Sequence, residues 1–389
     1  MNQPHNSRRN FLKASGAATS ALVLGAAQRT VSANDKLNVA FIGLGGRGRT
    51  LLKNVIRNPN YNIVALCDLR QDQIDRAQVI CDEEDLSPKQ YIDFETMIEY
   101  ENLDAVIVAT EVGNHAKVVV PVLEAGLHCF SEKPMDANVA NVDAITKAAR
   151  KAKGIYQVGF QRRYNPTFLA MIPEAQNSQY GMLRGLQGQW FFSGGMWDGG
   201  WVRDVAMSGG KLVEQACHHM DVFTWVTENH PVACQAVGRI TYDHQRNVPE
   251  HLSEDLSGLN FIFPDGAFLT YMHYPLLPPQ FNNEKLWVVR EKALIDLPEG
   301  IVYHRHSHNE GEPEQKAEKT DYYEGTYHQF DGFAKHVRDG ETPLSNVETA
   351  RISTLTALLG HQAMYNWAQQ TYEPSMIEWK DLGTSTDSA

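Results

Sequence analysis

Apolar positions in the first 160 residues alternate between short continuous runs and stretches with helical spacing. Continuous apolar runs predict buried strands, and the runs are Leu37–Ile42, Asn62–Leu66, Asp104–Thr110, Leu127–Phe130 and Tyr156–Phe160. Helical spacing follows from Arg49, and again over Ala116–Ala125 and Val139–Lys151. Strands without alternation are typical of a parallel sheet with helices on both faces. This rhythm predicts a doubly wound α/β domain.

The pattern changes after Pro166, where apolar and polar residues alternate. Alternation predicts long antiparallel strands with one covered face, at Gly185–Phe192, Leu256–Phe263, Ala267–His273 and Trp287–Leu297. Helical spacing returns from Phe330 to Gln370. We therefore expect a C-terminal α+β domain with a large open, mainly antiparallel sheet, whose free face is available to substrate or to a partner.

Composition narrows the class of protein. A chain of 389 residues is long enough for two domains. A net charge of −12 without a basic cluster argues against nucleic acid as a partner. The five cysteines are odd in number and include no C-x-x-C pair, so neither a disulfide framework nor a zinc site is expected. Past the N-terminal region, no apolar run is long enough to predict a membrane span.

The N-terminal residues resemble a twin-arginine export signal. Ser7-Arg8-Arg9-Asn10-Phe11-Leu12-Lys13 precedes a mildly apolar segment rich in Ala and Gly, and Val31-Ser32-Ala33 offers a small-x-small cleavage site. We expect residues 1–33 to be the signal peptide and the mature chain to begin near Asn34. The alternative is a disordered tail. A signal of this type implies a periplasmic or other extracytoplasmic location, after export in the folded state.

A glycine-rich turn follows the first predicted strand. Gly43, Gly45 and Gly48 form G-x-G-x-x-G between that strand and a helix, and the second strand ends at Asp68, about 20 residues further on. This spacing predicts a dinucleotide site in which backbone N–H groups hold phosphates and the acid binds a ribose. Asp68 favours NAD, while Arg70 could receive the 2′-phosphate of NADP. The alternative is a glycine turn that arose by chance.

Three motifs lie at the ends of predicted strands or at the start of a helix, where such sheets bind ligands. They are Thr110–His115, Glu132-Lys133-Pro134 and Gly209–Asp221. Glu214, His218 and Asp221 are spaced for one face of a regular helix. A histidine or a lysine there could take up a hydroxyl proton. The alternatives are a strand terminus and a polar helix face; no spacing typical of a metal site is present.

Together these motifs resemble the glucose–fructose oxidoreductase/inositol dehydrogenase/rhizopine-catabolism (Gfo/Idh/MocA) family, as does the segment Gly159–Pro166. The resemblance implies an N-terminal Rossmann domain, expected at residues 34–160, and an α+β domain for substrate and oligomerisation at 161–389. It implies NAD, with NADP as the alternative, and oxidation of a sugar or cyclitol hydroxyl. It also implies a homo-oligomer formed through the open sheet.

The resemblance further assigns roles to individual residues. Lys133, His218 and Glu214 are the expected catalytic residues, although Glu214 stands where the family commonly has Asp. The expected cofactor contacts are Gly43, Gly45, Gly46, Arg47, Gly48, Asp68, Arg70, Thr110, His115, Glu132, Lys133 and Gln161. The expected substrate contacts are Lys133, Arg163, Tyr164, Trp197, Trp201, Glu214 and His218.

Tryptophans in the segment 190–203 have two readings. Trp197 and Trp201 could stack on sugar C–H groups, or they could anchor a core or an interface. Trp190 lies in a strand pattern, which favours the core.

Two enzymatic hypotheses use the same lysine and histidine. The first is an oxidoreductase that passes hydride from a substrate carbon to NAD(P) and then reduces a second substrate. The second is a redox-neutral enzyme that oxidises a sugar transiently, eliminates its aglycone and returns the hydride. A non-catalytic sugar-binding relative is a third hypothesis, which the presence of both residues disfavours. Nicotinamide cofactor is scarce outside the cytoplasm, so an exported enzyme should retain its cofactor and return it to its starting oxidation state.

Overall fold

The structure is a computed structural model that describes residues 36–193, 200–239, 253–275, 277–305, 312–321, 323–369 and 376–384. Within these ranges the chain builds two sheets, one of six strands and one of nine. No helix in the described ranges combines the length and apolar character needed to cross a membrane.

The first sheet is parallel throughout, with strand order β3-β2-β1-β4-β5-β6. Its strands are β1 (Leu37–Ile42), β2 (Tyr61–Cys67), β3 (Lys89–Tyr91), β4 (Ala105–Val108), β5 (His128–Ser131) and β6 (Tyr156–Val158). The connecting helices are α1 (Gly46–Ile56), α2 (Gln71–Asp82), α3 (Phe94–Tyr100), α4 (His115–Glu124) and α5 (Val139–Lys151). Strand β4 is buried along its whole length, as expected between two helical layers. The predicted doubly wound sheet is confirmed.

The second sheet is mixed, with order β14-β13-β12-β11-β7-β10-β9-β8-β15. Its strands are β7 (Leu183–Phe191), β8 (Ala233–Arg239), β9 (Leu256–Ile262), β10 (Phe268–Tyr274), β11 (Asn283–Arg290), β12 (Ala293–Asp296), β13 (Ile301–His304), β14 (Glu314–Gln315) and β15 (Met376–Glu378). The helices of this part are α6 (Pro166–Gln176), α7 (Val205–Ser208), α8 (Cys217–Thr227), α9 (Glu324–Asp339) and α10 (Val347–Gln369). Among its pairs only β7 with β10 is parallel. The predicted large, mainly antiparallel sheet is confirmed.

Two predicted elements are each divided in the structure. The predicted strand Trp287–Leu297 is the two arms of a hairpin, in which Trp287 of β11 pairs with Asp296 of β12. The charged run Arg290-Glu291-Lys292 interrupts the alternation, and the chain reverses there. The predicted helical stretch 330–370 is two helices, because Gly340 adopts a left-handed conformation (φ 68°) that ends α9.

One face of the second sheet is covered by helices and the other is open. In β10, Leu269 and Tyr271 are fully buried, whereas Phe268 on the opposite face is 53% exposed. This alternation is the one expected of a sheet with a single covered face. The proposed role of the open face in oligomerisation stays a prediction.

Helix α9 returns the chain to the first sheet. Phe330 and Phe333 pack on Phe130 of β5, with ring centroids 4.8 and 5.9 Å apart. The hydroxyl of Tyr61 donates a hydrogen bond to the carbonyl of Phe330. A segment from the C-terminal half therefore completes the core on which the glycine loop rests, although the functional division at residue 160 stays a prediction.

Candidate active site

The glycine loop connects β1 to α1 and leaves space for a ligand at the helix N-terminus. Gly43 has φ 89°, and a Cβ on Gly48 would lie 2.0 Å from the carbonyl oxygen of Gly43, so both positions require glycine. By contrast, nothing lies within 4 Å of where a Cβ would stand on Gly45 or Gly46. The first turn of α1 carries no acidic residue. These features fit a dinucleotide phosphate held by backbone N–H groups.

Asp68 is fixed at the end of β2, next to this loop. One carboxylate oxygen accepts a hydrogen bond from the N–H of Leu44 (2.7 Å) and the other from that of Arg70 (2.9 Å). The guanidinium of Arg70 donates to both oxygens of Asp72, at 3.0 and 2.8 Å. Asp68 is therefore placed for a ribose hydroxyl, and the cation that could attract a 2′-phosphate is already neutralised.

Arg47 joins the glycine loop to the end of β5 and to the segment after β6. Its Nε donates to Glu132 (2.6 Å), and a terminal nitrogen donates to the side-chain oxygen of Gln161 (2.9 Å). The hydroxyl of Thr326 donates to the same oxygen of Gln161. Three of the predicted cofactor residues thus form one hydrogen-bonded group beside the loop.

Lys133 and Glu214 meet between the two sheets. The ammonium of Lys133 donates to the carbonyl oxygen of Glu214 and lies 3.3 Å from its Oε1. Both side chains are nearly buried, at 13% and 12% exposure. The Lys133–Pro134 peptide bond is cis. The lysine head is therefore held in one place, 81 residues from its partner in sequence.

The segment that carries Glu214 is a π-helical turn, Leu212–Ala216, which leads directly into α8. A π turn advances less per residue than an α-helix, so the regular spacing assumed for Glu214, His218 and Asp221 does not hold there. Glu214 contacts Lys133, whereas Asp221 contacts Arg163 and Ser353. The turn therefore directs the two carboxylates to different partners.

His218 lies in the first turn of α8 and is buried. Burial, together with the charges of Lys133, Arg162 and Arg47, holds the pKa of His218 well below its usual range. Its ring lies edge-on to that of Phe160, with centroids 6.3 Å apart. His218 is therefore a neutral imidazole at pH 7, near the charged head of Lys133.

Three residues that are predicted to contact cofactor or substrate have side-chain contacts within the protein. His115 is fully buried between the carbonyl oxygens of Pro134 (2.9 Å) and Thr110 (3.3 Å), so it ties two strand ends together. Arg163 forms a buried ion pair with Asp221, and Tyr164 is buried and accepts a hydrogen bond from Ser345. His115, Arg163 and Tyr164 thus have contacts within the protein, and their cofactor and substrate contacts stay predictions.

The predicted tryptophans divide between described and undescribed segments. Trp201 is half-buried in a short 3-10 turn that leads into α7. Trp190 is half-buried in β7, where its ring packs on His219 at a centroid distance of 4.9 Å. Trp197 lies outside the described residues. Sugar stacking by Trp197 or Trp201 stays a prediction.

A second polar network escaped sequence reasoning. Hydrogen bonds join four residues, one of them next to His218 in sequence: Arg162, His219, Tyr271 and Glu284. They come from a turn, a helix and two strands, and no spacing in the sequence links them.

The structure contains neither a disulfide nor a metal cluster within the described ranges. All five cysteines carry free, buried thiols. Within the described ranges, no group of three or more His, Cys, Asp or Glu side chains is arranged to hold a metal ion.

Comparison with known proteins agrees with this geometry. The model of the Gfo/Idh/MocA oxidoreductase family, NAD-binding Rossmann fold, matches residues 37–160. The match covers the first sheet with its helices, so this part of the chain is similar to the NAD-binding domain of that family. A model of twin-arginine translocation signals matches residues 5–25, which places the protein on the twin-arginine export route and hence outside the cytoplasm.

Curated relatives match only part of their own length. The chain is 30% identical over 145 residues to a myo-inositol 2-dehydrogenase of Thermotoga maritima, covering 37% of this chain and 42% of that protein. It is 29% identical over 171 residues to a glycosyl hydrolase family 109 protein of Shewanella baltica, covering 38% and 37%. The chain thus matches about two-fifths of the length of these relatives.

Solved structures extend the likeness of fold across both sheets. The myo-inositol 2-dehydrogenase of Lactobacillus plantarum superposes with a TM-score of 0.71 at 20% identity, covering 88% of this chain and 99% of that one. At this identity the match establishes the fold. Residues 37–160 form a Rossmann fold that is similar to the NAD-binding domain of Gfo/Idh/MocA oxidoreductases.

Proposed function

We propose that this protein oxidises a hydroxyl of a sugar, cyclitol or glycoside by hydride transfer to a bound nicotinamide dinucleotide. The observation that carries the proposal is the fixed Lys133–Glu214 pair beside a neutral, buried His218, with Lys133 just after the end of β5. The family match and the inositol dehydrogenases among the relatives support the substrate class.

In this oxidation one carbinol group of the substrate loses two hydrogen atoms. The C–H hydrogen leaves as hydride, which the nicotinamide accepts when bound, and the O–H hydrogen leaves as a proton. His218 accepts the proton, because its imidazole stays neutral over the whole range near pH 7. Lys133 donates a hydrogen bond to the substrate oxygen and stabilises its developing negative charge. Glu214 holds the ammonium of Lys133 in position.

A redox-neutral glycoside cleavage is the second candidate. Two observations favour it: a glycosyl hydrolase family 109 protein is among the relatives, and an export signal is present. In this reaction oxidation of a sugar hydroxyl acidifies the neighbouring C–H, elimination breaks the glycosidic bond, and water adds before the hydride returns to the sugar carbon. The cycle needs no second substrate for the cofactor, which suits a compartment poor in free nicotinamide.

One experiment separates the two reactions. Protein purified with its bound nucleotide and no added cofactor would be incubated with myo-inositol, hexoses and p-nitrophenyl glycosides, while reduced-nicotinamide absorbance and released nitrophenol are followed. Lasting reduction, reversed by a second sugar or ketone, supports the oxidoreductase. Repeated release of nitrophenol without lasting reduction supports the glycosidase. If wild-type protein does neither and carries no nucleotide, both proposals fail.

Variants then test the assigned roles. Lys133→Met and His218→Asn should each lower kcat by about 10²–10⁴-fold, the usual contribution of acid–base catalysis. Lys147→Met is the matched control, because Lys147 is exposed on α5 and lies outside the site. An active Lys133→Met variant with wild-type kcat would contradict the assignment of Lys133.

A further inference from the structure

Glu284 is the second residue of β11, and its side chain contacts the turn after β6 and helix α8. Its Oε1 accepts a hydrogen bond from the guanidinium of Arg162 and lies 2.6 Å from Nε2 of His219. Burial lowers the pKa of His219 to about 4, so this ring is neutral near pH 7. The ring therefore donates from Nε2 to Glu284 and accepts at Nδ1 from the hydroxyl of Tyr271, 2.7 Å away.

The partners of Glu284 are direct neighbours of candidate site residues. Arg162 follows Gln161, which is bonded to Arg47 of the glycine loop. His219 follows His218, the proposed base. Glu284 is therefore anchored by two residues that are each adjacent in sequence to a candidate site residue.

Glu284 is more open than the groups that hold it. Its side chain is 27% exposed, compared with 4% for Arg162 and 0% for His219. Both contacts use Oε1, and within the described ranges Oε2 accepts no hydrogen bond. The network therefore fixes the carboxylate by one oxygen and leaves the second oxygen able to accept a hydrogen bond.

An aromatic ring stands beside this carboxylate. Trp190 of β7 is directly opposite Glu284 in the antiparallel register, so the two side chains are on the same face of the sheet. The indole is half-buried and packs on His219. An indole face next to a fixed acceptor oxygen suits a polyol ring, whose C–H groups pack on the aromatic surface while a hydroxyl donates to the oxygen.

We propose that Glu284 is a specificity-determining residue that binds a non-reacting hydroxyl of the substrate, with Arg162 and His219 as the residues that position it. The inference rests on the proposed oxidation of a sugar or cyclitol. Oε2 accepts the hydroxyl hydrogen bond, and the ring of Trp190 supports the same sugar face. The contact selects for a hydroxyl at one ring position, because a substrate without it leaves the charged oxygen without its partner.

The test uses the full-length holoenzyme and the Glu284→Asp variant. This substitution keeps the negative charge that the buried Arg162 requires but withdraws the oxygens by one methylene. KM is measured for the panel sugar that wild-type enzyme oxidises best, myo-inositol being the first probe, and for its monodeoxy analogues. We expect KM for the parent sugar to rise about tenfold or more, and the dissociation constant of NAD to change by less than about twofold.

The deoxy series separates binding from structural damage. For one monodeoxy analogue, wild type and variant should have the same KM, because the hydroxyl that Glu284 binds is missing. Glu291→Asp is the matched control, since Glu291 pairs with Arg184 at the turn after β11, where its side chain is 34% exposed; its KM should equal that of wild type. Glu284→Gln provides a second variant should the Asp variant fail to accumulate.

Three results would overturn the inference. KM could stay at the wild-type value for every sugar. KM could instead rise equally for every analogue while the melting temperature falls, which would indicate a structural role for the network. The third result is that wild-type enzyme oxidises no sugar of the panel. This result needs no variant, and it would remove the proposed function on which the inference rests.

Discussion

Asp221 and Arg163 form the most deeply buried ion pair of the described chain, and its removal tests whether these residues are structural. The Nε of Arg163 lies 2.9 and 3.0 Å from the two oxygens of Asp221, and Ser353 donates to one of them. Their side chains are 5% and 0% exposed. We expect Asp221→Asn to lower the free energy of unfolding by about 3–5 kcal/mol, because it leaves a buried guanidinium without its counter-charge.

The measurement is thermal unfolding followed by circular dichroism, with kcat of the folded variant measured alongside. For a chain of this length, about 4 kcal/mol corresponds to a decrease in melting temperature of roughly 5 °C when it unfolds cooperatively. Glu348→Gln is the matched control, since it breaks an Arg150–carboxylate pair that is 44% and 53% exposed. Exposed pairs contribute less than about 1 kcal/mol.

A paired substitution separates loss of charge from loss of packing. Replacing both partners, as Arg163→Met with Asp221→Leu, should recover at least about 2 kcal/mol of the lost stability, because no charge then remains buried. The reasoning is refuted if Asp221→Asn unfolds like wild type while kcat falls more than tenfold. Asp221 would then act in the reaction, as its position in the helix motif first indicated.

Three further predictions concern the cofactor site and pH. Gly45→Ala should weaken NAD binding without lowering the melting temperature. Gly48→Ala should lower both the NAD affinity and the melting temperature, because only a methyl group at position 48 meets the protein backbone. Equal melting temperatures of the two variants would contradict this. Asp72→Asn should raise kcat/KM for NADP relative to NAD a few-fold, since Arg70 is freed for a 2′-phosphate, and an unchanged ratio would show that the pair does not set the preference. As the pH decreases from about 6.5 to about 4, the free energy of unfolding should fall by several kcal/mol, because histidines in the unfolded chain bind protons that three buried ones do not. These three have pKa values lowered by burial to about 4, about 3 and about 4, namely His219, His273 and His361. Glu254, with a pKa raised by burial to about 7, has the opposite slope between pH 4.5 and 7 and offsets only part of this loss; a melting temperature that is constant from pH 7 to 5 would refute the assignment.

Sequence reasoning succeeded where the determinants are local. The glycine loop and Asp68 were predicted because a turn and the strand end that faces it are specified by a few adjacent residues. The bounds of α5 were predicted as Val139–Lys151 and are the same in the structure. Here the cap residue Asn138 accepts a hydrogen bond from the N–H of Asn141, a contact within one turn.

Sequence reasoning failed where the helical spacing is irregular or where burial depends on residues that are distant in sequence. The π turn at Leu212–Ala216 breaks the assumption of 3.6 residues per turn, so helix periodicity could not place Glu214 relative to Asp221. The resemblance to the Gfo/Idh/MocA family implies a substrate contact for Arg163, which stays a prediction. Only the packing of α8 and α10 around it shows that the cation is buried with a counter-charge.

Export and cofactor binding in one chain constrain the reaction more than either does alone. The twin-arginine route carries folded protein, so the nucleotide enters the site before the protein reaches a compartment where free nicotinamide is scarce. An enzyme that released reduced cofactor there would stop after one turnover. Both proposed reactions avoid this, one by reducing a second substrate and the other by returning the hydride to the first.

The proposed substrate subsite, formed by Glu284 and Trp190, must meet different requirements in the two reactions. In the glycosidase it must hold a single sugar from oxidation until the hydride returns, whereas in the oxidoreductase it must release the oxidised product and accept a second molecule. Strong discrimination by the wild-type enzyme against the monodeoxy analogue that lacks the hydroxyl bound by Glu284 therefore favours the glycosidase, and weak discrimination favours the two-substrate oxidoreductase.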